Sequence, residues 1–442
     1  MKPIIAIVGR ANVGKSTLFN RLLGKAVAIV EDLPGTTRDR VFGDALLSEQ
    51  EVTLVDTGGL EMRPGSSLAE KVKEQVEVAI AEADVIVFMT DVQEGLLPSD
   101  WEIAERLRRS SKPVVLIANK ADNLRLENQV ADFVRLGIGT PLAISAYHGR
   151  GINELLDGII AVLPESVPTP AEWDRVKLAI VGRPNVGKST LLNVILGEER
   201  AVVDQVPGTT RDALDTVYHY DSQEILLIDT AGIRRRGRIE QGIEYYGVIR
   251  ALRAIDRCDV ALLVIDATEP VTAQDLHIAG YIKDASKGVI LVVNKWDLVP
   301  KERRIESKQL IEQRLKFMPY VPIFYVSAKL KQGVDELVPQ ALLVKQERQR
   351  QLEKATVDEF VKEAVAIHEL PRRGTRRLEV YSAYQSRTNP PSFVFVVNEP
   401  KLVHFSYKRF LENRLRRSFG FYGTPINLIF KKSGKMTKGV RR

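Results

Sequence analysis

The sequence predicts an α/β protein in three parts: two tandem domains, each a mostly parallel sheet with helices on both faces, and then a small α+β domain. Three observations predict this. Apolar runs of strand length alternate with amphipathic helical patterns through residues 1–344, as a parallel sheet with crossover helices requires. One ordered set of motifs occurs twice, displaced by 173 to 182 residues. The composition then turns basic. Residues 345–442 hold 22 Lys+Arg against 9 Asp+Glu, a net of +13, whereas the preceding 344 residues net −6.

The apolar run Ile4 to Val8 reads as a buried strand leading into Gly9-Arg10-Ala11-Asn12-Val13-Gly14-Lys15-Ser16, after which Thr17 to Leu23 reads as a helix. G-x-x-x-x-G-K-S between strand and helix is a phosphate-binding loop in its expected context. Its glycines let successive backbone N–H groups turn inward, Lys15 can reach the β- and γ-phosphates, and Ser16 can ligate Mg²⁺. The helix N-terminus adds its positive end.

Next come Pro34-Gly35-Thr36-Thr37-Arg38-Asp39, and Asp56-Thr57-Gly58-Gly59 at the end of strand Val52 to Val55. Strand Val85 to Met89 follows, then Asn119-Lys120-Ala121-Asp122 closing strand Val114 to Ala118, and Ser145-Ala146 after Leu142 to Ile144. Leu68 to Ala83 and Trp101 to Arg108 carry helical patterns between them. All these motifs fall at carboxyl ends of strands, where open α/β sheets bind ligands.

The segment Pro164 to Trp173, with Pro168 and Pro170, reads as an extended linker. The programme then restarts. Gly182-Arg183-Pro184-Asn185-Val186-Gly187-Lys188-Ser189-Thr190 follows strand Lys177 to Val181, and Pro207 to Asp212 and Asp229-Thr230-Ala231-Gly232 keep the offset of 173. Asn294-Lys295-Trp296-Asp297 is displaced 175 and Ser327-Ala328 is displaced 182. Five motifs in one order mean a duplicated domain. The expected divisions are 1–163, a linker 164–174, 175–344, a basic domain 345–430 and a basic tail 431–442.

Asn119-Lys120-x-Asp122 and Asn294-Lys295-x-Asp297 choose the base. A carboxylate there accepts from guanine N1–H and its exocyclic amine, donors that adenine does not present, so adenine would leave a desolvated carboxylate unpaired. Ser145-Ala146 and Ser327-Ala328 are placed to support the base's carbonyl edge through backbone N–H. Asp56 and Asp229 suit the Mg²⁺ shell with Ser16 and Ser189, and Gly59 and Gly232 can offer N–H to a γ-phosphate. Loss of that phosphate would release the flanking loops, which makes a switch.

On these residues each half resembles a translation-factor-type small GTPase. Two in tandem ahead of a basic domain resemble one family over essentially all 442 residues, the bacterial double-GTPase ribosome-assembly proteins called EngA or Der. The resemblance implies two GTPase domains, a KH-like RNA-binding domain, and association with rRNA in the maturing large ribosomal subunit. It implies Thr37 and Thr210 as switch threonines on Mg²⁺, with neighbouring Thr36 and Thr209 as the alternatives. It also matches Asn12 and Asn185 to a loop asparagine that holds K⁺ in related enzymes, against the plainer reading of a turn-capping residue. Ras-like enzymes orient water with a glutamine after D-x-x-G. Here that position is Leu60 or Ile233, so intrinsic hydrolysis should be slow. Catalysis would lean on Lys15, Lys188, the switch threonines, the Gly59 and Gly232 amides, Mg²⁺, K⁺ or a partner.

The halves differ after D-x-x-G. Ile233-Arg234-Arg235-Arg236-Gly237-Arg238 is cationic where the first half has Leu60-Glu61-Met62-Arg63-Pro64, either a nucleotide-dependent contact or a solvated loop. In the basic domain the patterns give the order α-β-β-α-β, with strands over Arg377 to Arg387, Ser392 to Asn398 and Pro425 to Phe430 and a helix over Phe405 to Phe419. Arg372, Arg373, Arg376, Arg377, Lys408, Arg409, Arg414, Arg416 and Arg417 are the phosphate-contact candidates, with Tyr381, Tyr384 and Tyr407 as stacking or packing aromatics. Gly420-Phe421-Tyr422-Gly423 spells G-x-x-G but lies between a helix and a strand, so it reads as a turn.

Cys258 is the single cysteine, which excludes intramolecular disulfides and cysteine metal clusters and suits a reducing cytoplasm. The apolar runs are far short of the ~20 residues that span a bilayer, and Met1-Lys2-Pro3 leads straight into a strand, so no membrane or secretory segment is expected. The reading is a GTP-hydrolysing timer, probed against a GTP-gated binding module, and a monomer off the ribosome.

Overall fold

The computed structural model describes residues 3–25, 42–47, 50–59, 73, 76–77, 79–163, 175–197, 203–204, 215–221, 223–230, 244–367, 370–373 and 376–433. These fall into two compact units, Met1–Ala171 with Glu240–Ile249, and Glu172–Ile239 with Arg250–Arg442.

In the first unit β1 (Ile4–Val8) lies centrally in a six-stranded sheet ordered β2-β3-β1-β4-β5-β6, with β2 (Phe42–Leu47), β3 (Gln50–Asp56), β4 (Val85–Asp91), β5 (Val114–Asn119) and β6 (Leu142–Ala143). Only β2 runs antiparallel, paired with β3. Every residue of β1 and β4 is buried, as a strand covered on both faces demands, and each such Val, Ile or Leu contributes roughly 1.5–3 kcal/mol by leaving water. Helix α1 (Lys15–Lys25) takes the phosphate loop's exit, and its Leu18, Phe19 and Leu22 enter the core. Helix α2 (Pro98–Arg109) opens with a proline in its first turn, buries Ile103, Ala104 and Leu107, and ends in Arg106, Arg108 and Arg109 against its negative terminus. Helices α3 (Leu124–Gln129) and α4 (Ile152–Val162) follow.

The second unit repeats this sheet with one more strand, in the order β13-β12-β11-β7-β10-β9-β8. Its members are β7 (Val176–Val181), β8 (Val203–Asp204), β9 (Thr216–Tyr220), β10 (Gln223–Ile228), β11 (Val260–Asp266), β12 (Gly288–Asn294) and β13 (Ile323–Tyr325). Helix α5 (Lys188–Leu196) corresponds to α1; α6 (Glu244–Arg257), of which residues 250–257 fall in this unit, α7 (Ala273–Asp284), α8 (Arg304–Arg314) and α9 (Leu337–Gln349) follow. Helix α9 contributes Leu337, Ala341 and Val344 to this domain's core and runs through the 344/345 position where the composition shifts.

Helix α9 gives way after a short break to α10 (Lys354–Ile367). After a short hairpin, β14 (Arg372–Arg373) and β15 (Arg376–Arg377), the small sheet is built from β16 (Val380–Thr388), β17 (Pro391–Val397) and β18 (Asn427–Lys432), with β17 central. Helix α11 (Phe405–Phe419) occupies the expected span, and the order α-β-β-α-β holds with strand edges moved by one to three residues. Phe393, Phe395, Tyr407, Leu411, Leu415 and Phe421 pack its core with Val357 and Phe360 of α10. The hairpin was not legible, because an arginine run carries no apolar period.

Candidate nucleotide-binding sites

Both phosphate loops leave the central strand of their sheet so closely against the neighbouring strand that only glycine fits. A Cβ on Gly9 would lie 2.3 Å from Met89 O, and one on Gly182 would lie 2.2 Å from Val264 O. Asn12 and Asn185 both take φ of 63°, a left-handed turn that asparagine tolerates. Lys15 Nζ donates to Gly9 O and Arg10 O at 2.8 Å each; Lys188 Nζ donates to Gly182 O at 2.8 Å and Arg183 O at 2.5 Å. Each ammonium thus rests on two neutral carbonyls of its own loop, a placement from which an anionic phosphate oxygen can draw it. Ser16 and Thr17, and Ser189 and Thr190, open α1 and α5.

In the first half the strand β3 delivers Asp56, which is buried, and a short 3-10 turn over Thr57–Gly59 follows. Thr57 Oγ1 donates to Ile7 O at 2.6 Å and the Gly58 amide to Asp56 Oδ1 at 2.9 Å. A Cβ on Gly58 would stand 2.9 Å from Lys15 Cε, so this turn packs on the loop lysine. The second half differs in detail. The Asp229 amide donates to Asp215 Oδ1 at 3.0 Å, and Thr230 and Thr216 share a hydroxyl bond of 2.6 Å. Thr37, Thr210, Gly232, Leu60, Ile233 and the cationic stretch 234–238 lie outside the described residues.

At the N-K-x-D strand ends the two asparagines act as braces. Asn119 Nδ2 donates to Val13 O at 2.7 Å while its Oδ1 accepts from the Ala146 amide at 2.8 Å. Asn294 does the same with Val186 O at 2.8 Å and the Ala328 amide at 3.0 Å. One side chain therefore ties the phosphate loop, the N-K-x-D strand end and the Ser-Ala loop together in each half. The Ser145 and Ser327 amides close their loops on Arg150 O and Gln332 O at 3.1 Å.

The sequence reading missed two duplicated sets. Asp91 and Asp266, the last residues of the buried strands β4 and β11, pair with Lys120 and Lys295 of N-K-x-D, the latter at 2.5 Å. Arg10 and Arg183, second in each phosphate loop, reach Glu94 and Glu269, and their Nε atoms lie 3.4 and 3.5 Å from Asp100 and Asp275. Asp100 accepts from the Leu97 amide at 3.0 Å and Asp275 from the Thr272 amide at 2.9 Å, at the starts of α2 and α7. Burial pushes both these carboxyls up. The loop after β4 or β11 is thus pinned at one end to the N-K-x-D lysine and at the other to the phosphate loop. All three acids recur at the displacement of 175 residues that N-K-x-D also shows, which was the available signal.

A family model described as 50S ribosome-binding GTPase matches residues 4–120 and again 177–295. A second, described as KH-domain-like of EngA bacterial GTPase enzymes, C-terminal, matches residues 351–431. GTPase Der of Thermomicrobium roseum is 50% identical over 440 residues, 97% of this chain and 96% of its own length. GTPase Der of Symbiobacterium thermophilum is 48% identical over 445 residues, covering 100% of this chain and 94% of its own, and that of Moorella thermoacetica 49% over 433 residues, covering 98% and 99%. The chain belongs to the Der (EngA) family of tandem GTPases. As a Der-family enzyme it binds and hydrolyses GTP, and its third part is the family's KH-like domain.

The first Der pocket carries a pH signature. Burial lowers the Lys15 pKa to about 8, against an opposing pull from Asp56 and with a smaller push from Arg10. A phosphate bound beside it would favour the charged lysine and raise that pKa. Affinity should therefore be flat below pH 8 and be lost as pH rises above it, by up to about tenfold per unit. Titration of GDP from pH 6.5 to 9.5 into a chain whose second site is silenced by Lys188→Ala checks this. A flat profile to pH 9.5 contradicts it.

Proposed function

We propose that this Der-family chain is a GTP-driven switch of large-subunit assembly, binding rRNA in 50S precursors through its C-terminal domain with the nucleotide state of both GTPase domains setting that association. Strand β12 carries the proposal. Its Asn294 end braces the second pocket, and at its other end the Val289 amide donates to Gly423 O of the C-terminal domain at 2.8 Å. Pocket and RNA domain thus share one seven-residue strand.

In this reading Asp122 and Asp297 select guanine. Lys15 and Lys188 neutralise the phosphates, Gly59 and Gly232 offer N–H to the γ-phosphate, and Thr37 and Thr210 are the switch threonines on Mg²⁺. A base carbonyl reaching the Ser-Ala loop shares the Ala146 or Ala328 amide with the brace or takes the neighbouring one. Ser16, Thr37 and Asp56, and Ser189, Thr210 and Asp229, are the Mg²⁺ ligands. The donor set is all oxygen, which fits an ion that binds through one or two protein groups, phosphates and water. Mg²⁺ would neutralise charge developing on the phosphates. The exposed Asn12 and Asn185 are the residues a stimulating K⁺ would use. With leucine and isoleucine in the water-orienting positions, turnover without a ribosome is slow.

The RNA face is narrower than the basic composition suggests. Arg372, Arg376, Arg377, Arg409 and Arg417 are exposed and Lys408 half-buried. Arg416 is withdrawn, since it donates to Phe421 O and Thr424 O at 2.9 and 2.8 Å and stacks on Tyr320. Tyr407 is 1% exposed and packs rather than stacks on bases. The G-x-x-G turn is held on the second GTPase domain, with the Phe421 amide on Glu347 Oε2 at 2.7 Å and the Gly423 amide on Tyr320 O at 3.0 Å. Among the described residues no helix is long and apolar enough to cross a membrane, and a cytoplasmic monomer off the ribosome completes the proposal.

Co-sedimentation with purified 50S subunits under GDP, GTP and a non-hydrolysable analogue tests it. Binding should depend on nucleotide and fall steeply with salt, since each phosphate contact contributes a slope near 0.7–0.9. Equal binding in all three states would sink the switch, and a flat salt response would sink the RNA face.

A further inference from the structure

The two pockets differ at one strut. Arg21, on the phosphate-loop helix α1, donates from Nε to Ala146 O and from Nη2 to Tyr147 O, the latter at 2.5 Å. Its guanidinium occupies the space left by Gly149, where a Cβ would stand 2.6 Å from Nη1. The second half has neither member of this pair. The residue displaced 173 from Arg21 is Val194, which cannot donate and packs on the domain core. The residue displaced 182 from Gly149 is Lys331, which keeps the same left-handed turn, φ 57° against 77°, but carries a side chain. Arginine with glycine in one half and valine with lysine in the other is a matched exchange.

We infer that Arg21 is a positioning residue for the first pocket alone: it clamps the Ser145–His148 loop, which faces the base's 6-oxygen, to the phosphate-loop helix, so the first pocket holds guanine nucleotides against a fixed wall. The second pocket holds its equivalent loop through Asn294 and that loop's own turn, in which the Leu330 amide donates to Ser327 Oγ at 3.2 Å. The inference rests on the guanine-pocket reading above and names what sets the difference between the two sites.

The test uses the full chain with the second site silenced by Lys188→Ala. Arg21→Ala should release GDP roughly tenfold faster, the scale expected when charge-assisted hydrogen bonds ordering a contact loop are removed. The diphosphate of 2-aminopurine riboside, which lacks the 6-oxygen and with it the N1–H that Asp122 accepts from, should be released from Arg21→Ala little faster than from the parent. Arg21→Lys keeps the charge without the fork and should fall between; it also serves if the alanine variant does not fold. In the reciprocal chain, silenced by Lys15→Ala, Arg21→Ala should leave GDP release from the second site unchanged. Equal losses for both ligands, or no loss for GDP, overturn the inference while the guanine reading stands. A parent chain that binds both ligands equally well brings down the guanine reading and the inference with it.

Discussion

Replacing Asn119 with alanine should cost the first site about two orders of magnitude in affinity for GDP and GTP alike. The side chain is 3% exposed and holds Val13 O and the Ala146 amide at 2.7 and 2.8 Å. Its removal leaves a carbonyl and an amide buried without their partner, each costing roughly 1–3 kcal/mol, and 1.4 kcal/mol is a factor of ten. The phosphate loop and the Ser-Ala loop then lose their common anchor. Because the brace sets the shape of the whole pocket, GDP and IDP should suffer equally, whereas Asp122→Ala should penalise GDP more, since IDP lacks the exocyclic amine. Asn294→Ala should do the same to the second site and spare the first. Fluorescent-nucleotide titrations resolve the two sites, and an affinity within threefold of the parent for Asn119→Ala would refute the brace.

That brace marks where sequence reading stops. Ile4 to Val8 and Val85 to Met89 were legible as strands because a strand buried on both faces must be apolar throughout. The phosphate loops and N-K-x-D were legible because their backbone and base chemistry constrain a few adjacent residues. Asn119 was assigned with the base-binding group, but its two partners come from positions 13 and 146, and no local pattern announces a contact across 106 residues. Asp91, Asp100 and Glu94 were hidden for the same reason, and only the duplication exposes them. Arg416 was read as a phosphate contact on a basic helix, since its cover comes from Tyr320 of a neighbouring domain; Tyr407 was left between stacking and packing, and it packs in its own domain's core.

Arg348→Ala should loosen the C-terminal domain from the second GTPase domain while leaving both nucleotide sites intact. Arg348 is 3% exposed; its Nη1 donates to Ser286 O at 2.9 Å and Thr424 Oγ1 at 3.1 Å, and its Nη2 to Asn389 Oδ1 at 2.7 Å. Burial lowers its pKa, with Asp259 opposing, so the site keeps a desolvated cation only because these acceptors surround it. Truncation removes the cation, opens a void and strands three acceptors, about 3–5 kcal/mol on the scale of broken buried networks. The C-terminal core of Phe393, Phe395, Leu411 and Leu415 lies within its own sheet and helices, so the domain should stay folded and melt separately. Gly423→Ala reaches the same end by another route. Gly423 sits at φ 67°, and a Cβ there would stand 2.4 Å from Val344 Cγ2 and 3.2 Å from Val289 O. If β12 carries the coupling, both variants should hydrolyse GTP as the parent does yet bind 50S subunits with equal affinity under GDP and GTP. Calorimetry should show a second transition, and protease should cut between α9 and α10. A single parent-like transition together with parent-like nucleotide dependence would show that the joint neither holds nor transmits.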